Sequence, residues 1–392
     1  MPLYYLRRQF VNYFQEFVHD SRAIGVILFA CTVISLVLAN MPFGEAYAAL
    51  FTYKIHFFET LHLPHSLVHW INDGLMVVFF FLVGMEIKRE LTMGELSSVK
   101  RAVLPIAAAV GGMIVPALVY LILNHDGKYE GGWGIPMATD IAFSLGVASM
   151  LGKKVPTNLK IFLTALAIID DLGAIVVIAL FYGNGVSAIF LLGSGIIIAG
   201  IWLLNRKGIR FGRYQFLLGI VLWYFIFNSG IHATIGGVLL AFMVPTDMLA
   251  HFEHKLHNMV NFAILPLFAL ANTAIVIHLE MIPELTGVLS LGIIAGLFVG
   301  KPVGILFASW IMVKLKIAEL PRGVNWTQMT GAGILAGIGF TMAIFITCIA
   351  FDDAETQDIG KIAILLAAVI SIIASALWFG LLGDKKRLLK TK

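Results

Sequence analysis

Apolar residues fall in blocks of roughly fifteen to twenty-five along almost the whole chain, from residue 23 to residue 383, with short polar joins between them. Blocks near ~20 residues match the length at which a helix crosses ~30 Å of hydrocarbon. They lack the period-two alternation that a spanning β-barrel needs. Backbone facing lipid must satisfy its own hydrogen bonds, so helix remains. Breakers and polar joins set the spans near 23–41, 73–95, 102–124, 134–152, 158–182, 187–204, 214–228, 231–245, 257–277, 287–313, 326–350 and 359–383. The joins at 183–187 and 229–230 are so short that they make antiparallel neighbours. The pattern predicts an all-α integral membrane protein with twelve transmembrane helices in a single polytopic domain, 1–392. Residues 1–22 place Phe10, Phe14, Phe17 and Val18 at helical spacing among Arg7, Arg8 and Asn12, which reads as an amphipathic helix lying in the interface. No apolar core starts before Ala23, so this stretch is not a cleaved signal peptide.

Composition agrees: 59% of the 392 residues are hydrophobic and 13% are charged, against about 25% charged in soluble domains. The net charge of +4 gains meaning only on the topology. Of 27 basic residues, 23 lie in alternate connections and at the two ends, three (Lys54, Lys128 and Lys361) lie on the opposite side, and Lys301 lies within a span. A missing or extra span would scramble that asymmetry, so both termini are expected to be cytoplasmic. The basic residues sit in short loops and form no groove-sized patch, which excludes nucleic acid as a partner. Cys31 and Cys348 both fall in apolar blocks, leaving no disulfide framework and no metal-ligand spacing.

Four ionisable residues interrupt the blocks: Asp140, the adjacent Asp170 and Asp171, and Lys301. Each costs about 2.5–3.5 kcal/mol at the centre of a span on insertion scales, and such groups normally face a protein interior or a water-filled cavity. Adjacent helical residues point about 100° apart, so one aspartate can face a funnel while the other meets a partner helix. Two close carboxylates repel when both are ionised. A site that holds either protons or a hard cation such as sodium or lithium resolves the conflict, with the Thr139 hydroxyl or unwound carbonyls as further oxygen ligands. An ion-paired strut between helices is the plainer alternative for the pair. Lys301 is too deep to reach either interface, and either forms a structural salt bridge to Asp170 or Asp171 or takes part in proton-coupled release of that bridge. Asp140 sits at a helix break, where charge compensation of helix N-termini and direct ion contact both fit.

Two blocks are themselves broken. One carries Pro136, Thr139 and Asp140; the other, GAGILAGIGFTMAIF, carries Gly331, Gly333, Gly337 and Gly339 before Thr341. The loop count gives them opposite directions. Broken segments in comparable places of two halves point to an inverted-repeat transporter with a midplane site. Close helix packing through small residues also accounts for the glycines. Near the cytoplasmic face, Glu86, Lys88, Arg89 and Glu90 form one charge cluster, and Glu253, His254 and His257 another. They read either as a pH-responsive network, since histidine titrates near neutrality, or as solvated loop ends. Asp73 reads as a helix N-cap and His232 as a packed, hydrogen-bonded histidine. The histidines at 56, 62, 65 and 69 lack a metal spacing.

The stretches MATDIAFSLG, ALAIIDDLGAIVVIALFYGN, GKPVGI, GILAGIGFTMAIFI and WINDGLMVVFFFLVGMEIKRE resemble the NhaA-type sodium/proton antiporters of bacterial inner membranes, over nearly the whole chain. The resemblance implies a twelve-helix inverted repeat with two crossed, discontinuous helices, around Thr139 and Asp140 and around 337–339. It implies Na+ or Li+ bound at Asp170 and Asp171 from a cytoplasmic funnel, Lys301 pairing Asp170 in the ion-free state, and Asp140 compensating helix ends. Two protons would enter for each sodium expelled, so the exchange would be electrogenic. pH activation would fall on Glu86, Arg89, Glu90, Glu253, His254 and His257. A homodimer would be held partly by a β-hairpin near 53–62, within the outer loop 42–72. No cofactor is implied beyond the transported Na+, Li+ and H+. Ser144 and Met85 depart from the family pattern without touching a proposed ligand.

Two other classes fit the chain less well. An intramembrane aspartyl protease also needs carboxylates on separate spans, but the glycine-framed aspartate motif is missing and a buried lysine would spoil the dyad. A coupled transporter of an organic solute would need Arg, Asn or Gln at mid-depth to grip it, and the spans offer few.

Overall fold

The computed structural model describes residues 21–125, 127–183 and 185–388, and among these it is helical with no strand. The interfacial helix expected over 1–22 lies almost wholly outside the described residues. Among the described residues, seven helices are long and apolar enough to cross a membrane: Arg22–Ala39, Leu67–Met93, Val99–Leu123, Thr157–Phe181, Ala188–Arg206, Val288–Lys314 and Ala354–Leu382. Two further pairs pass only when joined across a bend, Thr234–Met243 with Thr246–Asn272 at 107° and Trp326–Ala336 with Phe340–Ala350 at 45°. The pair bent at 107° takes up two of the segments expected from the sequence. The other two are the 15-residue helix Arg213–Phe227 and the 10-residue helix Ile141–Met150. Ten residues rise only about 15 Å, half the hydrocarbon thickness. The polypeptide is therefore a multi-pass membrane protein whose helices are in part interrupted.

Local chemistry explains the boundaries. Ser66 accepts from the amide of His69 and starts Leu67–Met93, so this helix begins six residues before the expected 73. Asp73 is thus not an N-cap. It lies in the wide turn Trp70–Leu75, where its carboxylate meets Nε2 of His232 at 3.3 Å. Trp326–Ala336 opens on a reciprocal cap, with the Asn325 side chain accepting from Gln328 and the Gln328 side chain accepting from Asn325. Val99–Leu123 contains Pro105 and Pro116 and packs along Lys301–Lys314. The contact is close because Gly300 and Gly304 face it. A Cβ on Gly304 would stand 2.1 Å from the Gly111 carbonyl oxygen, and one on Gly300 would stand 2.8 Å from Pro116 Cα.

The β-hairpin expected near 53–62 is absent among the described residues. Lys54 and Ser66 form one isolated antiparallel bridge, and His56–Thr60 turns helically between them. Tyr53, Ile55 and Phe57 alternate with Lys54 and His56, but Phe57, Phe58 and Leu61 fall at helical spacing and the alternation ends there.

Candidate functional site

The two interrupted segments meet back to back. Residues Glu130–Met137 form tight 3-10 turns, Ala138 and Asp140 are extended, and Asp140 caps the helix Ile141–Met150 by accepting from the Phe143 amide at 2.8 Å. Opposite, the chain breaks between Ala336 and Phe340. The Asp140 amide donates to the Ile338 carbonyl at 2.8 Å, joining the breaks through the backbone. Asp140 Oδ2 accepts from the Thr341 amide at 3.0 Å and from the Thr341 hydroxyl at 2.5 Å. One carboxylate therefore faces the N-terminal, partially positive ends of two helices.

Lys301 and Asp170 lie beside this junction. The Lys301 ammonium is 2.9 Å from Asp170 Oδ2 and also donates to the Met137 carbonyl. That carbonyl ends the tight turn, so the lysine faces a partially negative backbone end just as Asp140 faces positive ones. The Thr139 hydroxyl donates to Asp170 Oδ2 at 2.7 Å and lies 3.2 Å from the Ala336 carbonyl. Lys301 follows the wide turn Gly296–Gly300, an irregularity that displaces a side chain from its regular helical position. Lys301 is 0% exposed, Asp170 1% and Asp171 2%. A lone charge at that depth would cost several kcal/mol, which the opposed partner and its hydrogen bonds offset.

Asp171 differs from its neighbour. Both aspartates bury an Oδ1 without a hydrogen-bond partner, but Asp171, unlike Asp170, lines a cavity of about 560 Å³ together with Asp140 and Thr341. The same cavity is walled by Glu86, Arg89, Glu253, His254 and His257. His254 and His257 are exposed, so the cavity runs from the surface bearing the basic-rich loops down to a buried carboxylate. Asp170, turned about a hundred degrees away, is held by Lys301 and Thr139 and does not line it.

The two charge clusters are tied together through Arg89 and Glu253, while His254 and His257 remain exposed. Arg89 Nε lies 3.1 Å from Glu253, bridging the helices Met76–Met93 and Leu249–Met259 across the mouth. His257 Nε2 and the Asn261 amide are 3.1 Å apart. Glu90 is the exception: it contacts Arg89 at 3.5 Å, accepts from the Glu95 amide at 3.0 Å and stands off the cavity wall. Lys88 caps a helix end, donating to the carbonyls of Phe242 and Val244. His232 is packed and hydrogen-bonded as expected, through Thr234.

The Met137 carbonyl and the contact of Thr341 with Asp140 are partners that the structure adds to the residues expected from sequence. The hydroxyl just after the glycine run of one broken block and the carboxylate in the other were the available signal. Nothing in the sequence marks a carbonyl as a lysine acceptor.

Comparison with known proteins gives a consistent result. The chain is 49% identical over 366 residues to the Na(+)/H(+) antiporter NhaA 2 of Flavobacterium johnsoniae, covering 91% of this chain and 90% of that one. It is 46% identical to the Na(+)/H(+) antiporter NhaA of Cytophaga hutchinsonii, covering 93% and 94%. The sodium proton antiporter MjNhaP1 from Methanocaldococcus jannaschii superposes with a TM-score of 0.52 at 15% identity, over 93% of this chain and 92% of that one, a likeness of fold alone. The family described as Na+/H+ antiporter 1 matches residues 15–379. The chain thus belongs to the Na+/H+ antiporter 1 family, a family of secondary transporters rather than enzymes.

Proposed function

We propose that this antiporter expels Na+ or Li+ from the cytoplasm in exchange for protons entering the cell. The observation that carries this reading is Asp171: a buried carboxylate with an unpartnered oxygen at the closed end of a surface-reaching cavity, next to a salt-bridged Asp170. A cation entering from the basic-rich side meets Asp171 first. Asp170 joins it when Lys301 lets go, and the Thr139 hydroxyl supplies a further oxygen. Protons occupying the same carboxylates complete the cycle. Asp140 serves as the fixed counter-charge of the junction, since its two oxygens already hold three donors.

On this reading the exchange moves net positive charge inward, and a membrane potential of 100 mV contributes about 2.3 kcal/mol per charge. The Arg89–Glu253 bridge with Glu86, His254 and His257 regulates access with pH, and Glu90 supports Arg89. The chain sits in a bacterial inner membrane with both termini cytoplasmic, as twelve segments in inverted repeats crossing at the two breaks, and pairs as a homodimer through the outer loop 42–72.

Everted vesicles test the central claim. Added Na+ or Li+ should collapse an imposed pH gradient while K+ leaves it intact, and Asp171→Asn should abolish the response. A wild-type response in that variant would remove the ion site.

A further inference from the structure

The residues Glu130–Met137 present the Met137 carbonyl to Lys301 and lead into Thr139, yet they have little order of their own. Their turns are 3-10, with poorer hydrogen-bond geometry than an α-helix, and GGWG places glycine at 131, 132 and 134, which raises the entropy lost on ordering. Two tyrosines from different helices hold this stretch. Tyr182, at the far end of the helix that carries Asp170 and Asp171, donates to the Gly131 carbonyl at 2.7 Å and accepts from the Gly134 amide at 3.1 Å. Those two groups are the ones a 3-10 turn would join directly, so the phenol bridges the turn. Its ring stacks on Trp133, with centroids 6.3 Å apart. Tyr120 donates to the Tyr129 carbonyl at 2.7 Å, just before the stretch begins. The fit requires glycine: a Cβ on Gly134 would lie 2.6 Å from the Tyr182 hydroxyl oxygen, and one on Gly132 would lie 2.2 Å from that of Tyr120.

From Gly134 to Met137 is a single 3-10 turn, about 6 Å of rise. We infer that Tyr182, seconded by Tyr120, is a positioning residue for ion binding: it sets the height of this turn, and so the Met137 carbonyl and the Thr139 hydroxyl against Lys301 and Asp170. The inference rests on the ion site proposed above. The Tyr182 hydroxyl is held between a backbone carbonyl and a backbone amide, neither of which titrates. Its effect should appear in affinity for the cation, because no reacting group is altered.

The test measures Na+-dependent proton flux in everted vesicles for Tyr182→Phe, which keeps the ring and removes only the hydroxyl. The apparent KM for Na+ should rise about fivefold, the effect of one ordinary hydrogen bond, with the maximal rate within about twofold of wild type. Gly134→Ala displaces the same backbone from the other side and should raise KM alike. Adding Tyr182→Phe to it should worsen KM no further, since the clashing oxygen is gone. A lower maximal rate with unchanged KM in both single variants would make the contact purely structural and overturn the inference. Asp171→Asn run in parallel separates the two failures. If that variant is inactive while Tyr182→Phe keeps the wild-type KM, the positioning role alone falls. If Asp171→Asn transports normally, the ion site falls with it.

Discussion

Replacing Asp140 by asparagine changes one oxygen for an amide and little else in shape, yet it should be costly. The carboxylate accepts three hydrogen bonds, one from Phe143 on its own helix and two from Thr341 on the other side of the junction. An asparagine side chain has one acceptor oxygen, so its amide nitrogen must face donors on one side or the other. In the cheaper arrangement the oxygen stays toward Thr341 and the helix cap is lost, at about 1–2 kcal/mol. The two surviving bonds drop from charge-assisted to neutral strength, about 1 kcal/mol each. The combined loss is about 3 kcal/mol, before the loss of counter-charge at two helix N-termini. With unfolding entropy scaled to a chain of this length, that lowers the melting temperature by about 4 °C. Detergent-purified protein followed by intrinsic fluorescence on heating measures this directly. An Asp140→Asn protein that melts within a degree of wild type would refute the charge-compensating role. If the same protein also bound Na+ far more weakly, Asp140 would be an ion ligand instead.

Lys301→Ala leaves Asp170 buried with Thr139 as its remaining polar contact, a loss on the scale of about 3–5 kcal/mol unless Asp170 takes up a proton. Antiport should weaken or change its pH profile in vesicles, and an unshifted profile at normal rate would make Lys301 a bystander. Gly304→Ala forces a Cβ to 2.1 Å from the Gly111 carbonyl oxygen, and no flexible side chain there can yield. The cost should be about 1–3 kcal/mol, read as a lower melting temperature, and unchanged stability would show that the two helices are free to separate. Asp353, ahead of the last span, is held below the usual carboxylate range by the amide and then the hydroxyl of Thr356. A depressed folded value means that its stabilisation is complete above the unfolded value of about 3.9 and lost as pH falls below it. The melting difference between wild type and Asp353→Ala should therefore be flat from pH 6 to 9 and shrink only in strong acid. A difference that varied across the neutral range would implicate another group.

Much of the site was legible in the chain because membranes penalise charge so heavily. Asp140, Asp170, Asp171 and Lys301 stand out against apolar neighbours, and the structure brings all four to one junction. The choice between the two aspartates was not legible. Only the helix phase and its neighbours turn Asp170 to Lys301 and Asp171 to the cavity. The charge clusters near Glu86 and Glu253 also looked like ordinary loop ends, since nothing local says that Arg89 will reach a helix more than 150 residues away. The hairpin expectation rested on a resemblance, and the short alternation from Tyr53 to Phe57 yields one bridge, Lys54 with Ser66, among the described residues.

Hydropathy and loop charge, which are local sums, determined by themselves that this is a helical membrane protein, and they located its broken segments and its intramembrane charges. Tertiary structure alone decided which helix ends meet, which carbonyl receives Lys301, where a cavity penetrates and where helices stop short of spanning. Those outcomes depend on contacts between residues far apart in sequence, such as Asp140 with Thr341 and Gly111 with Gly304. Steric fit and electrostatic compensation at such contacts exist only once the helices have packed.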